Sequence, residues 1–135
     1  MISILVAAHG GLAQSLVDTV RIFVGDTPQL EAVDLAPEAG PDSFIDDLRE
    51  RAEQMDDGDG VLVLADLFGG TPANSAWRLM SEQTKWAVVA GVNLTMLLEA
   101  TMNRERAKDS NQLAEMVYNA SREGVQILST IEKKL

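Results

Sequence analysis

The sequence predicts an α/β domain with a doubly wound, mostly parallel sheet of order 2-1-3-4. Two observations carry that expectation. Apolar runs of strand length alternate with segments of helical period along the chain. Two of the runs, Ile2–Ala8 and Val61–Ala65, are almost continuously apolar, as strands covered on both faces are. With 135 residues, 46% of them hydrophobic, the chain fits one domain, 1–135, with a sizeable core.

Each element has its own signal. Ile2–Ala8 reads as the first buried strand. Leu12, Leu16, Val20 and Phe23, with Ala13, Val17 and Val24 beside them, recur at helical spacing until Gly25 stops the helix. Leu30–Leu35 is a weaker strand, and Ala36–Pro41 is a loop with two prolines and a glycine. Phe44, Ile45, Leu48, Ala52 and Met55 mark a second amphipathic helix, followed by a turn over Asp56–Gly60. Val61–Ala65 is the clearest strand. Thr71 is the expected cap of a third helix, with Pro72 at its first position. Trp86–Ala90 is a fourth strand and Leu94–Met102 a short helix. Leu113, Met116, Val117 and Ala120 mark the last helix, opened near Asp109 or Ser110 and stopped by Gly124. Val125–Leu128 reads as a short final strand before a polar tail. Two pairings are open to it: antiparallel addition at the edge of its own sheet, or exchange with a second copy.

Composition narrows the function. The net charge of −10 argues against nucleic acid, whose phosphates need a basic footprint, and against unaided binding to an anionic membrane surface. Two readings of the surplus acid stand, solubility and steering toward a basic protein partner. Without cysteine there can be no disulfide framework, thiolate zinc site or iron–sulfur cluster. No apolar run approaches the roughly 20 residues of a membrane helix, and the first residues lack the pattern of a signal peptide. A cytoplasmic protein is the natural expectation.

The chemistry-bearing residues sit at strand tips. His9, the only histidine, follows the first strand and precedes Gly10 and Gly11. Neutral imidazole is a good nucleophile near pH 7. Asp66 opens Asp66-Leu67-Phe68-Gly69-Gly70-Thr71-Pro72, directly after the third strand. In a 2-1-3-4 sheet the first and third strands are neighbours whose connections wind in opposite directions, so a crevice opens between their carboxyl ends. His9 and Asp66 would face each other across it. The glycine pair before a helix start would turn the amides of Gly69, Gly70, Thr71 and Ala73, and the Thr71 hydroxyl, toward an anion. No lysine of a P-loop follows, so a nucleoside triphosphate site is poorly supported. His, Asp and an anion cradle suit phosphoryl transfer to a ring nitrogen, with the carboxylate holding the other nitrogen. Such a step needs no metal or cofactor when the donor is a phospho-amino acid. Gly10 and Asn93 are further candidates for the crevice, although Asn93 also suits capping of the helix after it.

The motif Ala8-His9-Gly10-Gly11, the Asp66–Pro72 loop, Gly91-Val92-Asn93-Leu94 with Met96-Leu97-Leu98-Glu99, and Arg122-Glu123-Gly124-Val125 resemble the IIA domain of the mannose/fructose/sorbose class of the bacterial phosphotransferase system. The resemblance runs over nearly the whole chain. It implies that His9 receives a phosphoryl group from the carrier protein HPr and passes it to a IIB domain for coupled sugar uptake. It implies that Asp66 is the partner of His9, and that Phe68 to Thr71 shape the phosphoryl pocket. It also implies a homodimer with an exchanged last strand, and contact with membranes only through transporter subunits. Either a free-standing IIA or one part of a longer product fits the chain, which ends at Leu135. Ala73 stands where relatives often carry an aromatic residue, which puts the partner surface there in doubt.

Two rival functions remain. A regulatory module of the same fold would sense phosphorylation on the same histidine. A metal-dependent phosphatase or hydrolase is weakly supported, because there is one histidine, no second aspartate beside Asp66 and no serine elbow.

Overall fold

The computed structural model describes residues 1–83 and 85–131. Four strands, β1 (Ser3–His9), β2 (Leu30–Leu35), β3 (Val61–Ala65) and β4 (Trp86–Ala90), form one parallel sheet of order β2-β1-β3-β4. Between and after them lie α1 (Leu12–Val24), α2 (Pro41–Met55), α3 (Thr71–Met80), α4 (Leu94–Asn103), a 3-10 turn over Arg104–Arg106, and α5 (Ser110–Glu123).

Strand alternation divides the core in two. Ile4, Val6 and Ala8 of β1, with Leu62 and Leu64 of β3, face α1, α4 and α5, which present Ala13, Val17, Val20, Leu97, Leu113 and Val117. Leu5, Ala7, Val61 and Val63 face α2 and α3, which present Phe44, Leu48, Ala52, Ala76 and Leu79. Both faces of the central strands are therefore dry, which is why their sequences are apolar without alternation. Each fully buried leucine, such as Leu62 or Leu64, stabilises the fold by roughly 2 kcal/mol.

The sheet order reverses between β1 and β3. From β1 the chain passes through α1 on one face to β2. From β3 it passes through α3 on the other face to β4. The two connections leave the strand tips in opposite directions, as right-handed crossovers require, and a crevice lies between them. At the opposite pole the buried guanidinium of Arg104 donates to the carbonyls of Ile2, Pro28 and Gln29 and to the Thr27 hydroxyl, tying the end of α4 to the sheet.

Three expectations need correction. Val125–Leu128 pairs with no strand of the chain among the described residues, and Val125, Ile127 and Leu128 are exposed. From Val125 to Ile131 the backbone bonds locally, Val125 N–H to the Arg122 carbonyl and Thr130 N–H to the Ile127 carbonyl, and bonds to no sheet edge among the described residues. The polar tail runs on past the described residues. The cap of α3 is Gly70 in extended conformation; Thr71 is the first helical residue, Pro72 the second, and no side chain closes the cap. Pro41, expected in a loop, opens α2, where its missing N–H costs nothing. No helix among the described residues is long and apolar enough to cross a membrane.

Candidate active site

His9 is the last residue of β1. By alternation its side chain follows Leu5 and Ala7 toward the α3 side of the sheet, which brings it to the start of α3. Gly10 then turns the chain out of the strand with φ +59, a left-handed value that glycine adopts without strain, and its N–H bonds to the Leu35 carbonyl at 2.8 Å.

Asp66 follows β3. Its N–H bonds to the Ala7 carbonyl, which fixes it one strand over from His9. One carboxylate oxygen, Oδ2, accepts from both the His9 amide and the His9 ring Nδ1, each at 2.9 Å. Burial alone would raise the Asp66 carboxyl. The bond from the His9 amide, then the bond from the ring and its charge, outweigh burial and hold the carboxyl below its ordinary value. An ionised carboxylate only accepts, so Nδ1 carries the hydrogen and the lone pair of the neutral ring sits on Nε2. Asp66 is largely buried, whereas the His9 side chain is 46% exposed. Nε2 has no protein hydrogen-bond partner among the described residues, on a ring that is nearly half exposed.

Beside the ring runs the glycine pair. Gly69 has φ +86, a conformation that a side chain would strain. Gly70 has an ordinary φ of −81, so backbone strain is not its reason for being glycine. A Cβ on Gly70 would stand 2.8 Å from Cε1 of His9 and 3.5 Å from Nε2. The hydrogen side chain is what lets the imidazole lie against the helix start.

The expected amide cradle is present in part. The Gly70 N–H bonds to the Leu67 carbonyl at 3.0 Å and is not free for a ligand. The amides of Gly69 and Thr71 have no backbone partner among the described residues. They remain as donors at a helix N-terminus, with the Thr71 hydroxyl beside them. Phe68 does not close the site. It is 89% exposed and stands at the rim, with Leu67 also exposed. On its other side a recess of about 300 Å³ runs along Ala73, Asn74, Trp77, Met80, Val88 and Ala90.

Asn93 is turned away from this chemistry. Its Oδ1 accepts from the Met96 N–H at 2.8 Å, capping α4, and its Nδ2 donates to the Ser121 hydroxyl of α5 at 2.9 Å. Two supporting residues escaped sequence reasoning. Asp34, at the tip of β2, accepts from the Gln14 N–H and so supplies the side-chain acceptor that α1 lacks at its glycine cap. Asn74 donates from Nδ2 to the Gly69 carbonyl at 3.2 Å. An asparagine one turn after a glycine pair at a helix start is the signal that could have revealed it. Among the described residues no group of three or more His, Asp or Glu side chains is arranged to hold a metal ion.

Comparison with known proteins identifies the family of the chain. Residues 3–121 match the family described as "PTS system fructose IIA component". The chain is 31% identical over 127 residues to the mannose-specific EIIAB component of the phosphotransferase system of Escherichia coli strain K12. That match takes in 94% of this chain and 39% of the relative, so the chain spans about two-fifths of that protein's length. It is 34% identical over 102 residues to the transcriptional regulatory protein LevR of Bacillus subtilis, covering 73% of this chain and 10% of LevR. The crystal structure of phosphotransferase system component EIIA from Streptococcus agalactiae superposes with a TM-score of 0.90 at 29% identity, over 97% of this chain and all of that one.

Proposed function

The chain belongs to the phosphotransferase-system fructose IIA component family, and from that premise we propose that His9 carries a phosphoryl group between two proteins. The single observation that supports this most is the pair of bonds from His9 to Asp66 Oδ2, which leaves Nε2 as the exposed nucleophile.

In the accepting step the Nε2 lone pair attacks the phosphorus of a phosphohistidine on the donor. The new N–P bond forms as the donor's N–P bond breaks, and the donor imidazole leaves with the electron pair. The Nδ1 hydrogen stays between the ring and Asp66, whose negative charge balances the positive charge that grows on the imidazole. The free amides of Gly69 and Thr71 and the Thr71 hydroxyl would bind the equatorial phosphoryl oxygens. The passing step is the same exchange in reverse toward a second protein. The half-exposed ring suits partners that bring their own reactive group to it. The donor on this reading is HPr and the acceptor a IIB domain, with a sugar chosen by other subunits. The acidic surface favours a partner with basic residues around its reactive side chain.

Incubation with phosphoenolpyruvate, enzyme I and HPr should label the protein in an acid-labile, base-stable form. A His9→Ala variant should take no label, and full labelling of that variant would refute the assignment.

A regulatory phospho-sensor is the second reading, favoured by the similarity to LevR. Transfer from the labelled protein to a IIB domain separates the two. Accumulation of label with no onward transfer would favour the sensor.

Exchange of the last segment between two copies also belongs to this reading. It is supported by the exposed Val125, Ile127 and Leu128 and by the position of β4 at the edge of the sheet. Light scattering should give the mass of a dimer, and a clean monomer would count against exchange.

A further inference from the structure

We infer that Asn74 is a positioning residue for phosphoryl transfer, holding the Gly69–Gly70 hinge so that its free amides face Nε2 of His9. The inference rests on the carrier reading and adds to it a residue that touches neither the phosphoryl group nor the imidazole.

Each trans peptide directs its C=O and N–H in opposite directions. In the unit joining Gly69 and Gly70, the carbonyl accepts from Asn74 Nδ2 at 3.2 Å and the N–H donates to the Leu67 carbonyl at 3.0 Å. That unit is held at both ends. In the next unit, the Gly70 carbonyl accepts from the Asn74 N–H at 2.9 Å. Since this carbonyl points along α3, the Thr71 N–H of the same unit points out of the helix start, where His9 lies against Gly70. Asn74 therefore takes both carbonyls of the glycine pair, one through its backbone and one through its side chain.

Glycine makes such a clasp necessary. Gly69 adopts φ +86, and two adjacent glycines have the widest choice of backbone conformations in the chain. Unclasped, the Gly69–Gly70 peptide could rotate, and the Phe68–Gly69 and Gly70–Thr71 peptides that carry the free amides on either side of it would turn with it. Helix stability does not account for Asn74. It is exposed, and asparagine is a weaker helix former than alanine or leucine at such a position. Among the described residues its one side-chain hydrogen bond is the bond to Gly69.

The test measures transfer from phospho-HPr under single-turnover conditions with the full chain. Asn74→Ala should lower the maximal rate about tenfold, the loss expected for one well-placed hydrogen bond, and leave the half-saturating HPr concentration within twofold. Asn74→Asp, which sets an acceptor against the Gly69 carbonyl, should fall at least as far. Asn74→Gln, which keeps the amide donor, should recover part of the loss. In N–H correlation spectra, Asn74→Ala should move the Gly69, Gly70 and Thr71 amides and leave those of β1 to β4 in place. A maximal rate within twofold of the parent in Asn74→Ala or Asn74→Asp would overturn the inference, as would a loss carried by the half-saturating concentration alone. Either result would leave the carrier reading intact. Transfer to a His9→Ala protein would instead remove the reading on which the inference stands.

Discussion

Gly70 lies so close to the His9 imidazole that a single added carbon would stand 2.8 Å from Cε1. Real Cβ atoms do not approach that near, so the ring or the helix start must move. The φ of Gly70 is one that alanine adopts freely, so Gly70→Ala tests close contact, first with the ring and second with the Leu67 carbonyl at 3.3 Å, and not backbone strain. The expected outcome is a transfer rate lower by about 100-fold, the cost of misplacing a reacting group by roughly 1 Å. The melting temperature should change little. Rate measurement beside a thermal melt checks both parts, and a variant as fast as the parent would show that the ring position does not matter.

Asp66 works on the same ring from the other side. Asp66→Asn keeps the shape and removes the charge that orients Nδ1 and balances the phosphorylated ring. The rate of transfer from phospho-HPr should fall by about 100-fold or more, within the range seen when an orienting acid is neutralised. Quenched-flow labelling checks it.

The ionisation of Asp66 gives an independent check. Because its carboxyl is held below the ordinary value of about 3.9, Asp66 contributes stability that is fully present above that pH. The contribution is lost as pH falls through the lowered folded value. A carbon-detected titration should place the Asp66 midpoint below about 3.9. In His9→Ala the ring's bond and charge are gone, burial is less opposed, and the midpoint should move up.

Asn93 separates helix capping from chemistry. Among the described residues its side chain bonds only to Met96 N–H and Ser121. Asn93→Ala should cost about 1 kcal/mol of stability, as removal of a cap does. Transfer per folded molecule should stay within twofold. Denaturant melts and the labelling rate measure the two effects, and a large loss of rate at full stability would return Asn93 to the crevice.

Much of this architecture was legible in the sequence, and the reasons are local. Val61–Ala65 is apolar at every position because β3 is covered on both faces, and that signal needs no tertiary information. His9 and Asp66 were joined by topology alone, since the order of a doubly wound sheet brings the tips of β1 and β3 together. What the sequence hid depends on three-dimensional contact. Val125–Leu128 has the composition of a strand, but strand propensity expresses itself only against a partner edge, and this segment lies against none of the chain's described strands. The Gly70 amide looked free because its bond to Leu67 belongs to the turn geometry and not to residue type. Asn74 and Asp34 act through carbonyl and amide partners, which carry no residue-specific mark.

The central claim is that the exposed ring nitrogen of His9 is the atom that bears the phosphoryl group. Nitrogen-15 spectra of the histidine ring, recorded on protein phosphorylated through HPr, test it most directly. This chain has one histidine, so assignment is unambiguous. Phosphorus coupling is expected at Nε2, with hydrogen retained on Nδ1. Phosphorus on Nδ1, or on any residue other than His9, would contradict it.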